Sequence, residues 1–185
     1  MLKDTDIRNI LLERIIRQNI NHDYRIIEEL SVCDGDARVD IAVANGKLYG
    51  YEIKSDADKL SRLTSQRYYY DCTFDRVVIA VGEKYEKTIK DYIPEYWGIY
   101  VVNSNKVNKI TLHIQRQPKA NPNVRIESLL CLLLKNELYD LLKSNNIKGI
   151  SGKNIRKLRS IAINSFPKTM LKNYTREILK NRSYI

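Results

Sequence analysis

The chain has 185 residues, 43% of them hydrophobic, with a formal net charge of +10. That length and hydrophobic share suit one core-bearing domain with an appendage. The longest apolar run, Leu129–Leu134, is far too short to span a bilayer and the charged start MLKDTD does not read as a signal peptide, so no membrane role and a cytoplasmic setting are expected.

Residues 4–20 read as an opening helix, capped by Asp4 or Thr5, with Ile7, Ile10, Leu11 and Ile15 in an apolar stripe. Residues 24–32 read as a strand and 33–36 as a turn. Residues 38–54, RVDIAVANGKLYGYEIK, read as two strands around Asn45-Gly46, the strongest short hairpin signal. A helix over 56–71 comes next, with Asp56 and Asp58 as caps. A buried strand is expected at 74–81, a short helix at 84–92, and further strands at 97–102 and 109–115. The core order is therefore α-β-β-β-α-β-α-β: an α/β fold with a mixed central sheet flanked by helices. Residues 117–125, with two prolines and no periodicity, read as a linker. Three helices, 126–143, 150–166 and 168–180, complete the chain. This divides it into a domain over 1–115, a linker over 116–125 and a helical subdomain over 126–185.

Charge follows the same division. Residues 1–115 hold 17 Lys and Arg against 18 Asp and Glu, while residues 116–185 hold 15 against 4. Such asymmetry suits a polyanionic partner. The stretch ELYDLLKSNNIKGISGKNIRKLRSIAI reads as helix, turn and basic helix, and resembles a SAP-like helix-turn-helix in spacing. Lys153, Arg156, Lys157 and Arg159 are its candidate phosphate contacts; the plain alternative is a packing αα-hairpin. Arg62 and Arg67, on the helix after the hairpin, are further candidates for a nucleic-acid backbone. Cys33, Cys72 and Cys131 show neither disulfide nor zinc spacing, and His22 and His113 have no close ligand partner, so no cysteine or histidine chemistry is suggested.

The hairpin holds the catalytic candidates. Side chains alternate faces along a strand, so Glu52 and Lys54 share a face. A two-residue turn at Asn45-Gly46 would pair Asp40 with Tyr51 and send Glu52 to the other face. A three-residue turn, Ala44-Asn45-Gly46 with Gly46 in the left-handed region, pairs Asp40 with Gly50. It gathers Asp40, Glu52 and Lys54 on one face, leaving Val39, Ile41, Val43, Tyr49, Tyr51 and Ile53 on the other. Only the second register separates charge from core, which a half-buried sheet requires. Two carboxylates suit Mg²⁺, a hard cation that keeps several waters. A lysine beside them can hold an attacking water and stabilise an anionic transition state. The bland alternative is a solvated salt-bridge cluster.

Asp40 followed by Glu52-Ile53-Lys54 resembles the PD-(D/E)XK nuclease motif, with Val39 where the family carries proline. Gln66 and Tyr70, four apart on one helical face, resemble the Gln-x-x-x-Tyr motif that comes after the lysine strand in several of its subfamilies. The stretches RVDIAV, GYEIKSD, RLTSQ and FDRVVIAV are similar to a bacterial and phage group within that superfamily, over about residues 24–103. The resemblance implies a restriction-endonuclease-like core and Mg²⁺- or Mn²⁺-dependent hydrolysis of nucleic-acid phosphodiesters, DNA foremost. It implies metal ligation by Asp40, Glu52 and the Ile53 carbonyl, water positioning by Lys54, and support from Gln66 and Tyr70. Glu29 is the expected further acid, with Glu28 and Glu13 as alternatives. Many such nucleases pair to cut two strands, so a homodimer is among the expected assemblies. The rival readings are a catalytically silent nucleic-acid-binding protein and a protein-interaction module of the same fold.

Overall fold

The computed structural model describes residues 2–105, 107 and 109–182. It begins with α1 (Asp4–Asn19), whose Asp6 carboxylate accepts from the Lys3 N–H at 2.9 Å. Three antiparallel strands come next: β1 (Arg25–Val32), β2 (Ala37–Ala44) and β3 (Leu48–Lys54). The chain crosses through α2 (Leu63–Thr73) to β4 (Arg76–Gly82), parallel to β3, and again to β5 (Gly98–Ser104), parallel to β4. The edge strand β6 (Ile110–Arg116) returns antiparallel to β5. The result is one mixed six-stranded sheet in order β1-β2-β3-β4-β5-β6, flanked by helices.

Alternation assigns the two faces. In β4, Val78 and Ala80 pack toward α1, and in β5 Tyr100 and Val102 do the same, around Ile7, Leu11 and Ile15. Val77, Ile79, Val81, Ile99 and Val101 point to the opposite face. There they meet α2, the second crossover through Ile89, Ile93 and Trp97, and four C-terminal helices. These are α3 (Ile126–Leu130), α4 (Lys135–Ser144), α5 (Ile155–Ser165) and α6 (Lys168–Asn181). Leu129, Leu138, Leu142, Leu158, Leu171 and Leu179 join the sheet residues in one continuous apolar cluster. The segment before α3 is tied down rather than loose. The Asn121 N–H donates to the Asp75 carbonyl, its side-chain amide to the Asp71 and Phe74 carbonyls, and the Arg125 N–H to the Cys72 carbonyl. No helix among the described residues is long and apolar enough to cross a membrane.

Several elements differ from the sequence expectation. The hairpin loop has three residues, but they are Asn45-Gly46-Lys47, with Ala44 opposite Leu48 and Gly46 at φ +91°. Continued along the strands, that register sets Asp40 opposite Glu52 instead of Gly50, and the parity that gathers the charges is kept. Val39 leaves the expected face and joins the C-terminal-helix side, while Ile41 and Val43 pack on α1. The cause lies in β1, where Glu29 adopts φ +54° between the pairs Glu28↔Ile41 and Leu30↔Val39. Alternation slips on both strands at that level. The expected helix over 56–71 starts late, because Asp58 turns back to accept from the Ser55 N–H and hydroxyl, and Asp56 accepts from the Leu2 N–H. Neither aspartate caps α2. Residues 84–92 form two 3₁₀ turns, Glu83–Tyr85 and Ile89–Asp91, a segment too short to nucleate a helix unaided. The expected helix over 126–143 breaks at 131–134, where Glu137 accepts from the Leu134 N–H at 2.7 Å and starts α4 afresh.

Candidate active site

β3 changes character along its length. On the side facing α2 it presents Leu48, Gly50, Glu52 and Lys54 in turn. Gly50 lies under the Phe74 ring, where a Cβ would come within 2.7 Å of it, so the strand and the end of α2 approach closely. That approach carries the middle of α2 over Glu52 and Lys54. Glu52 is 2% exposed and Lys54 6% exposed. Burying such a pair is costly unless its remaining donors and acceptors are met. They are met here. The Lys54 Nζ donates to Glu52 Oε1 at 2.5 Å and to Gln66 Oε1 at 3.3 Å. The Tyr70 hydroxyl lies 2.6 Å from Glu52 Oε2 and 2.8 Å from the Arg38 carbonyl, and the Gln66 amide donates to it at 3.2 Å. Burial, then the charge of Glu52, pushes the Tyr70 phenol far above its ordinary value, so it stays a donor.

Asp40 enters from β2 where the ladder with β3 ends. Past the Ile41↔Tyr51 pair the strands part. The Ile53 N–H takes the Asp40 carboxylate as acceptor, at 2.6 Å. Burial and the nearby Glu52 charge raise the Asp40 carboxyl to about 7, against the opposing pull of the Ile53 N–H, Lys54 and Arg8. Two carboxylates are thus held near each other at a cost that a cation between them would lower.

Sequence reasoning missed Arg8. From the first turns of α1 it bonds Asp4 at 3.1 Å, Glu28 at 3.3 Å, Glu29 at 3.1 Å and the Asp40 carbonyl at 3.3 Å, with the Asp40 carboxylate 3.5 Å away. The one signal for it was the Asp4/Arg8 spacing, an i,i+4 pair. Arg8 settles how the candidate third acids are used. Glu29 lies on the cleft but its carboxylate is shared by Arg8 and Arg38, the latter at 2.8 Å. Glu28 pairs with Arg8, and Glu13 forms the surface pair with Arg17 that its spacing suggested. No cluster of three metal-ligating side chains forms among the described residues.

These groups surround an open cleft of about 800 Å³, lined by Asp40, Glu52, the Ile53 backbone region, Lys54, Arg62 and Gln66 among others. Its acids, Asp4, Glu29, Asp40, Glu52 and Asp58, outnumber its bases, Arg38, Lys54 and Arg62. The donor set fits a hard divalent cation of the Mg²⁺ kind, which binds through one or two carboxylates and keeps several waters. It does not form an all-protein cage.

The remaining expected contacts divide. Arg62 is exposed at the cleft, and Arg67 donates to the Tyr92 carbonyl at 3.3 Å. Lys153, Arg156 and Lys157 are exposed at the start of α5. Arg159 is not a phosphate contact: it is 8% exposed and grips Asp34 through two bonds of 2.7 and 2.8 Å, while its Nε donates to the Leu130 carbonyl. Helical spacing places Arg159 on the apolar side of α5 with Leu158 and Ala162, and Asp34 supplies the counter-charge that makes this tolerable.

No solved structure matches the chain. Protein cII of Enterobacteria phage P4 is 29% identical over 147 residues, which are 80% of this chain and 55% of that protein. The chain therefore spans about half the length of the curated relative it matches. The family model described as Bacteriophage P4 protein cII matches residues 1–184, from α1 through the last described helix, and the chain belongs to that family.

Proposed function

We propose that the chain is a metal-dependent nuclease of the PD-(D/E)XK kind, hydrolysing nucleic-acid phosphodiesters, DNA foremost, on a restriction-endonuclease-like core. The observation that carries this reading is the meeting of Asp40, Glu52 and Lys54 in one open cleft, with Gln66 and Tyr70 closing over them from α2. The order of helix, three antiparallel strands, helix and parallel strand supports it.

Asp40, Glu52 and the Ile53 carbonyl are the groups to hold Mg²⁺ or Mn²⁺. When bound, such an ion activates a water and offsets charge growing on the phosphate. The protein's own contribution centres on Lys54. An ammonium has three N–H donors. Glu52 and Gln66 accept two of them, which leaves the third for the attacking water or a phosphate oxygen. Fixed donors aimed at developing negative charge need no reorganisation during the reaction. Tyr70 keeps Glu52 in one rotamer, and the Asp40 bond to the Ile53 N–H fixes the spacing of the two acids.

The test is a panel of single-stranded, duplex and branched DNA and RNA incubated with Mg²⁺ or Mn²⁺, beside an Asp40→Asn control. Cleavage of at least one substrate by the wild-type protein, lost with EDTA and in the control, is expected. A panel left intact by the correctly folded protein would overturn the reading in favour of a silent binding module.

A further inference from the structure

Residues 141–176 contain nine Lys and Arg and no Asp or Glu. Two of the nine turn inward and take carboxylates from the turns that lead into β2 and β4: Arg159 grips Asp34, and Arg176 lies 2.6 Å from Asp75. The other seven form no ion pair among the described residues. Six of these are exposed: Lys143, Lys148, Lys153, Arg156, Lys157 and Lys168. Folding does not explain them. Arg156 and Lys157 stand in the first turn of α5, which has no acid, and cations there work against the helix dipole. α1, α3 and α4 place acids in the first turn, Asp4 and Asp6, Glu127 and Glu137, whereas α6 starts like α5, with Lys168 and no acid.

The position of this patch is fixed. Asp34, the residue that Arg159 grips, lies in the turn before β2, and its neighbour Gly35 lines the cleft together with Arg38. Arg156 is near enough to Asp34 to act on its charge. The start of α5 is therefore on the side of the molecule where the Asp34–Gly35 turn borders the cleft. The cleft itself is lined by more acids than bases, so it attracts a polyanion poorly in the absence of a bound cation.

We infer that the exposed face at the start of α5 is a docking surface for a nucleic-acid backbone that works without divalent metal and sets where the strand enters the cleft. Docking and cleavage are then two separable steps, and only the second rests on the nuclease reading. Lys153, Arg156 and Lys157 hold phosphates by charge alone, and the Arg159–Asp34 grip keeps that hold in register with Asp40, Glu52 and Lys54. Phosphate contacts position a duplex without reading its sequence, so the docking is indifferent to base composition.

The experiment measures binding of a fluorescent duplex in EDTA by anisotropy, across a salt series. It compares wild type with a Lys153→Gln, Arg156→Gln, Lys157→Gln variant whose fold is checked by circular dichroism. The wild type is expected to bind without metal. The variant should bind more weakly and lose about 0.9 in log–log salt slope per contact, about 2.7 for three. Wild-type affinity and slope in the folded variant would overturn the inference. So would equal binding of a polyglutamate of matched charge, which would point to an acidic protein partner. Because the binding assay reads no cleavage, a failure of the nuclease reading leaves its result standing, and the reverse also holds; only the register test rests on the nuclease reading. An Arg159→Leu variant tests the register: it should keep EDTA binding while cleavage of bound duplex in Mg²⁺ slows. Unchanged cleavage there would remove the positioning role from the grip.

Discussion

The cleft and the α5–α6 region treat charge in opposite ways. In the cleft, carboxylates are held by donors: Glu52 by Lys54 and Tyr70, Asp40 by the Ile53 N–H, Glu29 by Arg8 and Arg38. Along residues 141–176 the exposed cations are held by no carboxylate among the described residues. Paired, buried charges are organised in advance for chemistry but attract a distant polyanion weakly. Unpaired surface cations do the reverse, since their field reaches about a Debye length, near 8 Å at physiological salt. The division assigns geometry to the sheet and attraction to the helices, and each assignment can be broken separately.

The largest effect is expected on the cleft side. Asp40→Asn removes a charge from the pair proposed to hold the metal but keeps an acceptor for the Ile53 N–H. Cleavage should fall below detection while thermal stability and DNA binding in EDTA stay near wild type. An Asp40→Asn protein that cuts normally would move the site elsewhere.

Next comes Tyr70→Phe, which leaves Glu52 Oε2 buried without its donor. A buried acceptor stripped of its partner costs about 1–3 kcal/mol, more when it is charged. Urea unfolding should show a loss of that order, and a loss under roughly 0.5 kcal/mol would mean that Tyr70 is packing rather than supporting Glu52.

The smallest effect concerns the grip between the two regions. Hydrogen bonds from Arg159 hold the Asp34 carboxyl below its usual 3.8, against a contrary effect of burial. A carboxylate with a depressed folded pKa contributes stability above its unfolded pKa and loses it as pH falls through the folded value. Asp34→Asn should therefore be less stable than wild type near pH 7, with the gap closing as pH falls through the lowered Asp34 value. Asp34 is half exposed, so the gap is screened and small. A gap that does not change with pH would show that the grip acts by shape rather than charge.

Much of the cleft was legible because strand alternation and hairpin parity are local rules. Glu52 and Lys54 follow from β3 alone, and Gln66 and Tyr70 from helical spacing. The one-residue shift of the loop to Asn45-Gly46-Lys47 was not legible, yet it preserved parity and so the gathering of charges. Three features lay beyond local rules. Glu29 takes a left-handed conformation that its residue type disfavours, and this slips the alternation of β1 and β2. Arg8 reaches the cleft from a helix on the other face of the sheet, a contact set by tertiary packing. Helical spacing puts Arg159 with Leu158 and Ala162, but the partner that makes its burial tolerable, Asp34, is far off in sequence. Charge counting identified the basic region correctly but could not say which of its arginines face solvent.

The central claim rests on Lys54 as the donor that completes the cleft. The direct measurement is single-turnover cleavage of the best substrate at saturating Mg²⁺ by wild type and Lys54→Met, with metal affinity of both by calorimetry. The chemical rate should fall on the order of 10²–10³, while metal affinity changes little because Asp40 and Glu52 remain. A Lys54→Met protein that cuts at the wild-type rate would contradict the account.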